Sequence, residues 1–255
     1  VDLSTIQLAH CPNYINKFES GTLEKKIIRE IGLPWSTELV ARTRLALGGS
    51  VTTCLLALEN GLASHLAGGT HHAQFDHGSG FCIYNDMAVC ARFLIKTGNA
   101  SRVLVFDCDV HQGDGTASIL ANDLSVFTCS IHATKNFPVR KIASDLDVEC
   151  PDGMCDREYL RVVFETLESV LISWRPDFVI YDAGSDVHKD DTLGRLSITS
   201  DGLYARDIGV IRRIRGAGIP CATVIGGGYH PDRKQLAERH GIIVAAASTV
   251  QREFS

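Results

Sequence analysis

The chain lacks the long apolar runs and leader segments of membrane or exported proteins. None of its apolar runs approaches the ~20 residues of a membrane-spanning helix. The first residues, VDLSTIQLAH, match neither a secretion signal nor an Arg/Ser-rich transit peptide. The sequence opens on Val rather than Met, so we expect further residues upstream. The prediction is an intracellular protein without membrane attachment.

The sequence also has no CxxC pair, although it contains nine cysteines. An odd number of cysteines without regular spacing argues against a disulfide framework and is typical of a reducing compartment. Four of them lie inside apolar runs, where a thiol behaves as a small buried hydrophobic group. These four are Cys54, Cys90, Cys129 and Cys221.

An excess of basic residues is absent as well. The chain has 25 Lys and Arg against 30 Asp and Glu, which gives a formal net charge of −5 at pH 7. A protein that holds nucleic acid by electrostatic attraction needs a basic surface. The composition therefore argues against direct nucleic-acid binding.

Apolar, β-branched runs alternate with amphipathic segments from about residue 100 onward. This alternation predicts an α/β fold with a mainly parallel central sheet and helices on both faces. Since we find no linker, repeat or low-complexity segment, we expect a single domain over residues 1–255. The predicted strands are 102–106, 125–131, 177–181 and 221–225, and the predicted helices are 36–58, 85–96, 116–122, 157–173 and 201–215.

The first polar cluster follows the predicted strand 102–106 and contains Asp107, Asp109 and His111. Residues two apart in extended backbone share a face, so these side chains point the same way. A carboxylate and an imidazole at a strand end can bind a divalent cation. A capping turn would explain a bare DxH as well, but the neighbouring clusters favour the metal site.

Two further clusters follow other predicted strands, where parallel sheets form their sites. Asp186, in the loop after strand 177–181, can supply a third metal ligand. Tyr229 follows three glycines and can stabilise an oxyanion. Taken alone, the segment that holds Asp186 would be an ordinary loop. The three glycines before Tyr229 could instead bind a phosphate, although no GK[ST] follows them.

The last cluster is the adjacent pair His71 and His72, flanked on both sides by small residues. Two neighbouring histidines can be a chance surface feature, but beside a metal they can move protons. Asp107 and Asp114 remain to orient the two imidazoles. Together the four clusters predict metal-assisted amide hydrolysis.

These motifs resemble those of the histone deacetylase family and occur in the family's order. The compact segment 190–194 and the short loop after Ile131 look more like the class IV and bacterial branch than class I. The resemblance implies an arginase/deacetylase-like fold and zinc-dependent hydrolysis of N-acyl-lysine amides. The matching motifs are GGTHHA (68–73), GSGFCIYND (78–86), DCDVHQGDG (107–115), DAGSDVHKDDTLG (182–194) and GGGY (226–229), within a span of about 35–250.

By this resemblance Asp109, His111 and Asp186 bind a zinc ion. Ferrous iron is the alternative, because two carboxylates and one imidazole tolerate either ion. Family members also hold a structural monovalent cation, expected to be potassium, through backbone and side-chain oxygens. The equivalent residues here are Asp107, Asp109, His111, Ser130 and Ile131.

The same resemblance implies the catalytic roles. His72 would be the general base on the attacking water and then the acid for the leaving amine. His71 would assist electrostatically, and Tyr229 would donate a hydrogen bond to the forming oxyanion. Asp107 is expected behind His71, and Asp114 behind His72.

Gly80, Phe81 and Phe137 would line the tunnel for the acyl-lysine side chain. The implied partner is an acyl-lysine protein, with histone tails as a candidate and complex subunits unidentified, in the nucleus or the cytoplasm. Little precedes residue 35, so we expect one rim of the tunnel and the N-terminal part of the family's domain to be missing. The stretch 32–35 also offers no acid where class I members hold the substrate backbone with an aspartate.

Three alternatives use these residues differently. A two-metal ureohydrolase would need an acid two residues after His111, where this chain has Gly113. Acetylated polyamines or long acyl chains would be hydrolysed by the same site with a different mouth. A catalytically impaired scaffold in a complex would have lost a ligand or the tyrosine, and neither is lost.

Overall fold

The computed structural model describes residues 1–254. Within that range, six parallel strands form one sheet in the order β1-β6-β5-β2-β3-β4, with helices on both faces. The α/β prediction is confirmed. The strands are β1 Leu62–Ser64, β2 Val103–Asp107, β3 Val126–Ala133, β4 Leu146–Cys150, β5 Phe178–Asp182 and β6 Cys221–Val224; the helices are α1 Leu3–Ile6, α2 Pro12–Glu19, α3 Lys25–Ile31, α4 Thr37–Asn60, α5 Asp86–Lys96, α6 Asp114–Leu120, α7 Asp156–Ser173, α8 Ser200–Gly216 and α9 Arg233–Glu253.

Local signals in the sequence set the bounds of the long helices. Ser36 caps α4, and its hydroxyl accepts a hydrogen bond from the backbone amide of Leu39 at 3.1 Å. The same helix ends at Gly61, whose φ of 80° is the left-handed conformation that glycine adopts without strain. The predicted helices lie within about two residues of the observed ones, as is usual for helix ends.

Alternate residues of the central strands β2 and β5 face two separate cores. Val103 and Val105 of β2 pack against α4 and α5, whereas Leu104 and Phe106 pack against α7 and α8. The four cysteines predicted to be buried are buried and free. A sheet covered on both faces explains why its strands are continuous apolar runs.

Sequence reasoning missed several elements. β1 has three residues and β4 alternates polar and apolar positions, so neither shows the continuous apolar run used to find the other strands. Helices α1 to α3 are short, and α9 is more polar than apolar on average. No helix in the described part of the chain combines the length and apolarity needed to span a bilayer.

Parallel register places polar residues side by side at the carboxyl edge of the sheet. Asp107, at the end of β2, lies beside Ser130 of β3 on one side and beside Asp182 of β5 on the other. The loops that follow β2, β5 and β6 therefore start from one edge. This edge carries the candidate site.

His10 connects the N-terminal helices to the loop that bears the histidine pair. Its Nδ1 lies 2.9 Å from the carbonyl oxygen of Gln74, and its Nε2 lies 2.8 Å from the backbone nitrogen of Asn85. Since a backbone N–H can only donate, Nε2 accepts and Nδ1 carries the proton. The ring is neutral, and burial lowers the pKa of His10 from 6.5 to about 4.

We predict that His10 makes the folded state sensitive to acid. Below pH 6.5 the unfolded chain takes up a proton on this imidazole, whereas the folded chain does so only near its pKa of about 4. The contribution is therefore complete above pH 6.5 and is lost as the pH falls through this window. His10→Gln should be less stable than wild type at neutral pH but should lose less stability on acidification. Urea denaturation at pH 7 and at about pH 4 measures the free energy of unfolding of both proteins. An equal loss of that free energy in wild type and in His10→Gln would contradict the prediction.

Candidate metal centre and active site

Asp109, His111 and Asp186 converge at the carboxyl edge of the sheet. Their ligand atoms lie within 4.8 Å of one another, and all three residues are buried. His111 Nδ1 is 3.0 Å from Asp109 Oδ1 and 3.1 Å from Asp186 Oδ2. Two carboxylates and one imidazole arranged in this way fit a divalent cation with a coordination position left open.

Backbone amides fix the orientation of the two carboxylates. Asp109 Oδ1 accepts from the amide of His111 at 2.8 Å, and Asp186 Oδ1 accepts from the amide of Val110 at 2.9 Å. The amide of Gly227 donates to Asp109 Oδ2 at 2.6 Å. A Cβ at Gly227 would overlap both carboxylates, so glycine is required for this approach.

The buried carboxylates shift one another's pKa. Burial and then the charge of Asp109 raise the pKa of Asp186 to about 7. Burial would lower the pKa of His111, but its hydrogen bonds to Asp109 and Asp186 outweigh this and raise the pKa to about 10. Without an ion, the two carboxylates are therefore compensated by a proton on His111, and a divalent cation bound there would replace that proton.

The adjacent histidines each form a hydrogen bond with the carboxylate expected behind them. His71 Nδ1 lies 2.8 Å from Asp107 Oδ2, and His72 Nδ1 lies 2.7 Å from Asp114 Oδ1. Gln74 donates a further hydrogen bond to Asp114 at 3.1 Å. Each Nδ1 thus carries a proton, and each Nε2 is directed away from the carboxylate partner.

The two imidazoles differ in charge. Burial would lower the pKa of His71, but the carboxylates of Asp107 and Asp109 raise it well above 6.5. Burial and the neighbouring His71 lower the pKa of His72 to about 4. At neutral pH, His71 is therefore a cation and His72 is a neutral ring that can accept a proton.

Tyr229 reaches the same site from the loop after β6. The amide of Tyr229 donates to Asp191 Oδ2 at 2.6 Å, and its ring centroid lies 6.2 Å from that of His111. Burial, then the charges of Asp109 and Asp186, raise the pKa of the phenol well above 10. The hydroxyl stays protonated and can act as a hydrogen-bond donor.

An open cavity of about 470 Å³ leads to these groups. Phe81 and Phe137 line it, and the ring of Phe137 stands edge-on to His72 at a centroid distance of 4.8 Å. Gly80 lies against His72, where a Cβ would be 2.6 Å from the ring. All three residues expected along the tunnel therefore line this cavity.

Two of the expected potassium residues, Ser130 and Ile131, lie on the β3 side of Asp107. Ser130 is its register partner on β3, and Ile131 follows; both are buried. The hydroxyl of Ser130 lies 3.0 Å from His132 Nδ1. The structure brings these positions together, and potassium itself stays a prediction.

The histone deacetylase domain family matches residues 1–245. The chain belongs to the histone deacetylase family. An uncharacterised protein of Picosynechococcus is 48% identical over 98% of this chain and 83% of that protein. Histone deacetylase 2 of Arabidopsis thaliana is 32% identical over 87% of this chain, which spans 60% of that protein's length.

Solved structures show the same fold. The crystal structure of an HDAC homolog from Aquifex aeolicus has a TM-score of 0.78 and 23% identity, over 99% of this chain and 75% of that one. Membership of the histone deacetylase family supports a deacetylase hydrolase.

The family match corrects one expectation about the N-terminal residues. A resemblance confined to about 35–250 was too narrow, because the match begins at residue 1. That one rim of the tunnel is missing stays a prediction, although the segment at 30–32 does lie against the cavity. The amides of Gly80 and Phe81 donate to the carbonyls of Glu30 and Ile31 at 3.0 and 2.8 Å, and Glu30 lines the cavity.

Sequence reasoning also left two acids without a role. Glu30 supplies a carboxylate at the mouth, two residues before the stretch 32–35 that offered none, and no pattern in the sequence marked it. Asp182 lies deep in the site and groups with His71 and Asp107. Its position at the end of a strand, like that of Asp107, was the signal that could have identified it.

Removal of one ligand tests the metal centre. We predict that Asp186→Ala loses one divalent ion per chain and with it the activity, because two ligands bind far more weakly than three. Elemental analysis of purified protein measures the ion. Asp190→Ala, which removes a half-exposed acid nearby, should keep its metal. An Asp186→Ala protein with the ion content of wild type would refute the ligand assignment.

Proposed function

We propose that this chain is a zinc-dependent lysine deacetylase that hydrolyses N-acyl-lysine amides of proteins. The observation that carries the proposal is a cavity lined by His72, His111 and Tyr229, beside which a three-residue metal cluster and two His–Asp pairs lie. Such a set supplies every group that hydrolysis of an amide requires.

Asp109, His111 and Asp186 would hold the zinc ion, with ferrous iron as the alternative. Zinc bound there would polarise the amide carbonyl and lower the pKa of a water molecule. The neutral ring of His72 accepts the proton of the attacking water and returns it to the leaving lysine amine. Tyr229 donates to the carbonyl oxygen as negative charge develops on it.

The mouth of the cavity supports a long, thin substrate side chain. Phe81 and Phe137 give it aromatic walls, and Leu193 adds a further apolar surface. Glu30 lines the same cavity together with Lys135 and Arg195, so the charge of the mouth does not by itself select a basic peptide. Because the chain belongs to the histone deacetylase family, we favour acyl-lysine in protein tails, histone tails among them, inside the cell.

The alternatives named above differ from this proposal in specific ways. Acetylated polyamines and long acyl chains remain compatible with the same catalytic groups. A degenerate scaffold is disfavoured because each expected ligand and the phenol stand together. A ureohydrolase would require an acid at the position of Gly113, and glycine carries none. A Cβ there would also lie 2.5 Å from Asp107 Oδ2, so the site leaves no room for an acidic side chain.

Substitution of each histidine separates the two imidazoles. General acid–base catalysis contributes about 10²–10⁴-fold, so His72→Ala should lose at least about 10²-fold in kcat and retain its metal. His71→Ala should lose less, because His71 acts through its charge. His77→Ala, at a partly exposed histidine in the same loop, serves as the control. Small and equal effects at positions 71 and 72 would show that the pair is structural.

Tyr229→Phe is the decisive test of the proposed mechanism. This variant keeps the ring and its packing but removes the hydroxyl, and the loss of one oxyanion donor costs about 10²–10³-fold in turnover. We expect normal folding, unchanged metal content and nearly unchanged binding of a hydroxamate chelator. Kinetics on an acetyl-lysine peptide measure the effect, with the exposed Tyr204→Phe as control. Turnover within about twofold of wild type would remove the phenol from the mechanism.

A further inference from the structure

Arg206 is a fully buried cation that the proposed reaction does not use. Its side chain is 0% exposed, and no other lysine or arginine among residues 1–254 is buried to that degree. It lies on the buried face of α8, one turn from Leu203 on one side and from Val210 on the other. A buried charge is costly unless it is paired and hydrogen-bonded, so hydrophobic packing does not explain this arginine.

Asp207, the next residue of the helix, compensates the charge of Arg206. The Nε of Arg206 donates to Asp207 Oδ1 at 2.9 Å, and the hydroxyl of Tyr181 donates to the same oxygen at 2.7 Å. Asp207 is itself buried. The ion pair occupies only the Nε of the guanidinium, so the N–H groups of Nη1 and Nη2 are left for other acceptors.

The two remaining nitrogens of Arg206 donate to backbone carbonyls at the carboxyl edge of the sheet. Nη1 donates to the carbonyl oxygens of Cys108 at 3.2 Å and of Gly184 at 2.8 Å. Nη2 donates to the carbonyl oxygen of Ala183 at 3.0 Å. The parallel register of β2 and β5 ends just before these residues. The guanidinium therefore connects the two segments at the point where the strand ladder stops.

The carbonyls that Arg206 binds belong to the segments that carry the proposed metal ligands. The carbonyl of Cys108 is part of the peptide bond to Asp109. Gly184 lies two residues before Asp186. We propose that Arg206 is a positioning residue for the metal centre, which fixes the spacing of these two segments by binding both at once. The inference rests on the proposed function, because it gives Arg206 a role at the metal cluster named there.

The shape of the guanidinium suits this role. Arginine presents its N–H donors in one plane at fixed angles, whereas a lysine ammonium is a single point with three rotatable donors. A lysine at position 206 would keep a positive charge near Asp207 but would not reach both segments with the same set of bonds. The hydrogen bond from the Val110 amide to Asp186 Oδ1, 2.9 Å long, depends on the same spacing. A shift between the segments therefore reaches a ligand carboxylate directly.

The affinity of the metal-free protein for Zn²⁺, measured by competition with a chromogenic chelator, tests this role. Loss of a group that orients metal ligands typically costs about 10–100-fold in metal affinity, so Arg206→Lys should bind Zn²⁺ more weakly than wild type by that factor. Arg92→Lys is the matched control, because Arg92 also binds one aspartate, Asp123, and two backbone carbonyls, those of Leu8 and Ile119. These acceptors lie outside the ligand segments, so this variant should keep the affinity of wild type.

Urea denaturation of the same proteins separates positioning from a purely structural role. A structural arginine would change the free energy of unfolding and leave the zinc affinity of the folded protein unaltered. Wild-type affinity in folded Arg206→Lys would therefore overturn the inference.

A second variant covers the case in which Arg206→Lys does not fold. Arg206→Met combined with Asp207→Leu then replaces it, because apolar side chains in place of a buried ion pair are often neutral for stability. The same loss of zinc affinity is expected, and wild-type affinity in this double variant would overturn the inference. A wild-type protein that binds no zinc would instead refute the metal centre of the proposed function, and this inference with it.

Discussion

Repulsion among carboxylates at the carboxyl edge of the sheet is the constraint to which the rest of the site responds. Parallel pairing puts Asp107 beside Asp182, and the loops that follow bring Asp109 and Asp186 onto one imidazole. Asp109 is held by backbone amides on both oxygens, one of them from Gly227. These donors replace the water that burial removes, and the remaining charge calls for a cation.

The same carboxylate charges give the adjacent His71 and His72 opposite pKa shifts. His71 lies within reach of Asp107 and Asp109, and their charges keep its ring protonated. That positive ring in turn helps to lower the pKa of His72, which has Asp114 behind it. Because the two adjacent histidines have different carboxylate neighbours, one is a fixed cation and the other is a proton acceptor. The hydrophobic packing of the sheet contributes by excluding the water that would screen these charges.

The sequence predicted the parts of the structure that depend on local pattern. Continuous apolar strands and capped helices located the central sheet, and strand ends located Asp107, Asp109 and His111. β4 and the short N-terminal helices escaped because partial burial weakens periodicity. Glu30 and Asp182 escaped for another reason. Their significance depends on which residues the fold brings beside them, and no local pattern encodes that proximity.

The mouth of the cavity depends on the segment that the sequence described least well. Helix α3 ends next to the loop of Gly80 and Phe81, and two backbone hydrogen bonds join them. Phe81 has a φ of 65°, a conformation that costs a non-glycine residue energy and persists only where its surroundings impose it. Its ring also covers Gly32, where a Cβ would lie 3.0 Å away. The residues of the proposed metal centre are thus positioned by the sheet, whereas the Phe81 side of the cavity is held by the N-terminal helices. A substitution in α3 can therefore change this wall without disturbing Asp109, His111 and Asp186.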